Sequence, residues 1–96
     1  MSQALATRNI KNLLGEYERV AEWYQKEYNK DPEVFCKYND VKDRFEVVIT
    51  LPYKDKYIES ISYIDGPKLY DSTYVNEVKE KIFPNLKRII KEQMDV

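Results

Sequence analysis

The run Arg44-Phe45-Glu46-Val47-Val48-Ile49-Thr50-Leu51-Pro52 alternates along an extended chain: Phe45, Val47, Ile49 and Leu51 fall on one side, Glu46, Val48 and Thr50 on the other. That is the pattern of a strand whose first set faces a core. A shorter apolar run, Val34 to Tyr38, precedes it, and Tyr57 to Ile64 follows after the turn Pro52-Tyr53-Lys54-Asp55-Lys56. Connections this short favour an antiparallel meander of three strands, ended by Asp65-Gly66-Pro67.

Both flanks of the meander carry a helical period instead. From Leu5 to about Tyr28, the residues Ile10, Leu13, Leu14, Tyr17, Val20, Ala21, Tyr24 and Tyr28 recur three or four apart and form one stripe about 120 degrees wide. Gly15 inside it costs roughly 1 kcal/mol against alanine, and Asp31-Pro32 ends the helix because the residue before proline is pushed out of the helical region. From about Thr73 the period returns with Val75, Val78, Ile82, Leu86, Ile89 and Ile90. Pro84 interrupts this segment but lies opposite its apolar stripe, where water can satisfy the carbonyl of Glu80, so a single kinked helix is expected. The expected fold is therefore α+β with the order α-β-β-β-α: a long N-terminal helix, a three-stranded antiparallel sheet and a C-terminal helix, the helices packed on one sheet face, in a single domain spanning 1–96.

Composition removes several function classes. The 96 residues include no histidine, one cysteine and two glycines. A histidine-free chain whose only thiol is Cys36 offers no familiar nucleophile and base pair, and an inert, partly buried side chain is the better reading of Val34-Phe35-Cys36. No Asp-x-Asp-x-Asp-Gly loop offers calcium a site, and Gly15 and Gly66 stand too far apart to build a phosphate loop. The expectation is a protein with no metal and no cofactor that is not an enzyme; a carboxylate pair among the 17 acidic residues is the remaining route to catalysis. A lone cysteine fits a reducing, cytoplasmic setting. The N-terminal residues show no leader pattern, and no apolar stretch approaches the roughly 18 residues of a membrane span. Twelve Lys, nine Tyr, eight Ile and six Asn suit an AT-rich genome, such as that of a low-GC bacterium or its phages.

Sixteen basic against 17 acidic residues leave a net charge of -1, which argues against a strongly basic nucleic-acid binder. The opening of the second helix, Thr73-Tyr74-Val75-Asn76-Glu77-Val78-Lys79-Glu80-Lys81, is mixed in charge. In topology the chain nevertheless resembles the double-stranded-RNA-binding domain, a family whose second helix opens on a basic Lys-Lys-x-Ala-Lys cluster and whose first helix is about half as long. That resemblance implies double-stranded nucleic-acid binding as the alternative function, with Lys54 and Lys56 touching the phosphate backbone.

The leading expectation rests on surplus apolar surface. If the helices cover the face carrying Phe45, Val47, Ile49 and Leu51, the opposite face displays Val48 and, depending on register, either Ile58 and Ile64 or Tyr57, Ile61 and Tyr63. Neither set is polar, and two helices with one stripe each cannot bury both faces. Contiguous patches of that size mark association surfaces. Trp23, about 60 degrees beyond the edge of the first helix's stripe, joins the candidates because tryptophan and tyrosine are enriched at binding hot spots. Trp23, Tyr57, Ile61 and Tyr63 are therefore expected to bind another protein, host or viral, in an intracellular adaptor or regulator encoded by a phage or mobile element, with homodimerisation as the simplest way to cover the sheet.

Overall fold

In the computed structural model, which describes residues 3–94, the order is α1 (Gln3–Tyr28), β1 (Glu33–Asn39), β2 (Arg44–Tyr53), β3 (Lys56–Asp65), a 3-10 turn (Pro67–Tyr70) and α2 (Ser72–Met94). Met1 and Ser2, with which the N-terminal stretch begins, lie outside the described residues. The three strands form one antiparallel sheet in the order β1-β2-β3, so both outer strands are edges. The expected α-β-β-β-α architecture is the observed one.

Local chemistry sets the boundaries. At the end of α1, Asn29 adopts a left-handed φ of 55° and donates its N–H to the Gln25 carbonyl at 2.8 Å, closing the last turn before Asp31-Pro32 is reached. Asn39 turns β1 into β2 by accepting the N–H groups of Val41 and Lys42, each at 3.1 Å. Lys54 takes the left-handed φ needed by the tight β2–β3 turn. Asp71 caps α2, its Oδ1 accepting the Thr73 N–H at 3.0 Å. Pro84 sits exposed within α2, which runs through it as one helix.

The core is one cluster. Ile10, Leu13, Tyr17, Val20 and Tyr24 of α1 meet Val47, Ile49 and Leu51 of β2, Ile64 of β3, Leu69, and Val75, Ile82, Leu86 and Ile90 of α2. The two helices run in the same direction: Arg19 packs on Phe83 and Trp23 on Lys87, while Asn9 at the start of α1 meets Leu69 just before α2. Tyr24 at the far end donates to the Pro52 carbonyl, and Tyr53 donates to the Met94 carbonyl at 3.3 Å. The Tyr24 ring thus stays in the core while its hydroxyl reaches a backbone acceptor at the rim. Burial pushes the Tyr17 phenol up, opposed by a hydrogen bond with Ser62.

Candidate functional site

Pairing register determines what the sheet turns away from its helices. Phe35 lies opposite Val48 and Val48 opposite Ile61, so one apolar row crosses all three strands. On one side of it runs the row Glu33, Thr50, Glu59; on the other run Lys37, Glu46, Tyr63 and then Asn39, Arg44, Asp65. Of the two sets that β3 could offer, the observed register turns out Tyr57, Ile61 and Tyr63, which are 72%, 51% and 54% exposed. Phe35 beside them is 59% exposed.

β3 is amphipathic in an unusual sense. Its core-facing set is Ile58, Ser60, Ser62 and Ile64, its solvent-facing set Tyr57, Glu59, Ile61 and Tyr63. Two serines face the helices while two tyrosines and an isoleucine face water. Ile64 alone in this strand is fully buried.

Polar groups on this face hold one another in place. Glu46 accepts from Asn39 Nδ2 at 3.2 Å and lies 3.6 Å from Lys37 Nζ and 3.4 Å from Arg44 Nη2. The Asn39 hydrogen bond and these two cations hold its carboxyl below the usual value. Arg44 in turn places its guanidinium 3.8 Å from the centre of the Tyr63 ring, an arrangement in which the ring faces a cation. The result is a pre-ordered strip of aromatic and aliphatic groups bordered by charges.

Trp23 lies elsewhere. It occupies the seam between α1 and α2, half-buried against the core, with Lys87 Nζ 5.3 Å above its ring and Tyr28 set edge-on at 5.9 Å. Phe83 on the same seam is covered by Arg19 at 4.3 Å. The helices pack on one face of the sheet while Tyr57, Ile61 and Tyr63 project from the other, so the four candidate residues form a group of three and a separate one. Phe35 completes the group of three, and sequence reasoning misses it: in Val34-Phe35-Cys36 three consecutive apolar residues hide the alternation, and only register assigns Phe35 to the outside.

The remaining chemistry is sparse. Cys36 sits half-buried on the core face, where desolvation pushes its thiol up and disfavours the thiolate. Among the described residues no group of three or more Cys, Asp and Glu side chains is placed to hold a metal ion, and no helix is long and apolar enough to cross a membrane. A concavity of about 750 Å³ opens at the end of the sheet near Ile10, Tyr38, Phe45, Leu69 and Tyr70. Its carboxylate, Asp43, accepts the Tyr38 hydroxyl at 2.5 Å, a bond that raises the phenol's pKa. No protein-family model, curated protein or solved structure matches this chain.

Proposed function

We propose that this chain is a small, non-enzymatic protein-binding module, an intracellular adaptor or regulator, that works through the outer face of its sheet. The observation that carries this reading is the orientation of β3, which gives its serines to the core and Tyr57, Ile61 and Tyr63 to solvent. The register keeps Glu59 in water and buries Ile64, yet it leaves two tyrosines and an isoleucine outside, and each apolar side chain taken out of water is worth on the order of 1.5 to 3 kcal/mol. A register that leaves this set outside is economical when another protein covers it. Tyrosine suits such a surface, presenting a large rigid apolar area with a polar tip and little rotamer entropy to lose. The pre-ordered Arg44 and Tyr63 stack lowers the ordering cost further. A phage or mobile-element origin, with a host or viral protein as target, fits the composition of the chain.

The test is capture from nuclease-treated lysate of a low-GC bacterium, comparing the wild-type chain with Tyr57→Ala and Ile61→Asp and reading bound proteins by mass spectrometry. Both variants are expected to keep the wild-type far-ultraviolet circular dichroism and to lose most of the bound protein. An unchanged bound set on the two folded variants would refute the surface. The alternative, double-stranded nucleic-acid binding, draws on the α-β-β-β-α order and the exposed Lys54 and Lys56. It predicts recovery that vanishes with nuclease and falls steeply with salt.

A further inference from the structure

We propose that the outer sheet face pairs with the same face of a second copy, about a two-fold axis running across the strands along the row Phe35, Val48, Ile61. This rests on the reading of that face as a protein-binding surface and makes a second copy the occupant that any other target must displace. A two-fold interface must be self-complementary, and the register allows that to be checked for each orientation. With the axis along the apolar row, Phe35, Val48 and Ile61 meet their own copies, and residues on either side of the row exchange. Lys37 then faces Glu33 of the second copy, Glu46 faces the hydroxyl of Thr50, and Tyr63, with Arg44 stacked on it, faces Glu59. Each contact sets a cation or hydroxyl donor against a carboxylate, and symmetry makes each twice.

The other face-to-face orientation with aligned strands, its axis along β2, fails the same check. It sets Glu33 against Glu59, Glu46 against Glu46 and Arg44 against Arg44. Like charges directly opposed at a closing interface are strongly unfavourable, so of the two orientations with aligned strands charge selects the first. Three strands about 4.8 Å apart make a face roughly 14 Å by 25 Å. Two such faces cover about 700 Å² in total, the size of a weak, transient contact. The pair is therefore reversible on dilution.

Glu33 and Lys37 lie roughly 13 Å apart on one strand and do not pair with each other within a chain. Lys37 does pair with Glu46 of its own chain, so Lys37→Glu is read only beside its own folding check and against its mixture with Glu33→Lys, which restores the contacts between copies. Sedimentation velocity over a concentration series is the measurement, with circular dichroism as the check on folding. The wild type is expected to approach twice its 11.6 kDa as concentration rises. Glu33→Lys and Lys37→Glu should each weaken self-association about tenfold or more, and an equimolar mixture of the two should associate as the wild type does, because each variant then meets its complement. Ile61→Asp should leave a monomer. Tighter association of Glu33→Lys alone would favour the axis along β2 and overturn the proposal, as would a dimer indifferent to all three substitutions, which would pair through strand edges instead. A wild type that stays monomeric throughout also overturns it. If capture of another protein still depends on Ile61 in that case, the face remains an interaction surface with a different partner; if it does not, both readings fall.

Discussion

Alanine at Gly66 would carry its Cβ to 2.6 Å from Asp43 Oδ1 and 2.8 Å from the Asp43 carbonyl oxygen. The backbone at Gly66 has φ of -56°, which any residue adopts, so the demand for glycine is one of contact alone. Gly66 also donates its N–H to that carbonyl at 2.9 Å, tying the end of β3 to the β1–β2 turn. A methyl group cannot fit without separating the two, which sacrifices a hydrogen bond worth about 1 kcal/mol and adds overpacking of about 1 to 3 kcal/mol. A total loss of about 2 to 4 kcal/mol corresponds to a melting temperature lower by roughly 10 to 25 °C for a chain of this size. The internal control is Gly15, exposed in the middle of α1, where an added methyl group would meet nothing within 4 Å. There alanine should stabilise by about 1 kcal/mol through helix propensity. Urea unfolding followed by circular dichroism, with m compared to confirm the same end states, reads both. Two glycine variants that shift the midpoint in the same direction, or a Gly66→Ala chain as stable as wild type, would refute the contact argument.

Asn9 is buried and donates Nδ2 to the Leu69 carbonyl at 2.6 Å, so Asn9→Ala leaves a buried acceptor unpaired and should cost about 1 to 3 kcal/mol in thermal unfolding; an unchanged midpoint would contradict this. Because the Glu46 carboxyl is held below its ordinary value, its stabilisation is complete above the unfolded pKa near 4.5 and is lost as pH falls through the folded value. Glu46→Gln should accordingly be less stable than wild type near neutrality, with the gap closing on acidification. A gap of constant size between about pH 6 and about pH 3 would show that the carboxyl is not coupled to folding.

The strands and helices are legible in the chain where periodicity is unbroken. β2 alternates cleanly, which places Val47, Ile49 and Leu51 in the core, and they are buried there. In α2 the apolar phase continues across Pro84, and so does the helix. Register is not legible, because β3 carries apolar residues at both parities: Ile58 and Ile64 on one, Tyr57, Ile61 and Tyr63 on the other. Cross-strand pairing with β2 resolves that choice, and pairing depends on turn geometry and on which set packs against the helices. The 3-10 turn Pro67–Tyr70 reads in the sequence only as the end of β3, since four residues carry no detectable period. Amino-acid type alone groups Trp23 with the sheet residues, whereas its angle on α1 carries it to the helix seam under Lys87.

The parallel course of α1 and α2 bears on how the chain reaches this state. Antiparallel helices joined by a short loop can zip together early, at small cost in chain entropy. Here Arg19 must find Phe83 and Trp23 must find Lys87 across the whole intervening sheet. The single helices and the meander, each built from neighbouring segments, are the local structures, and the α1–α2 seam is the non-local one. The sheet covers only part of the apolar stripe of α1, and α2 completes the cover, so closing the core joins distant parts of the chain.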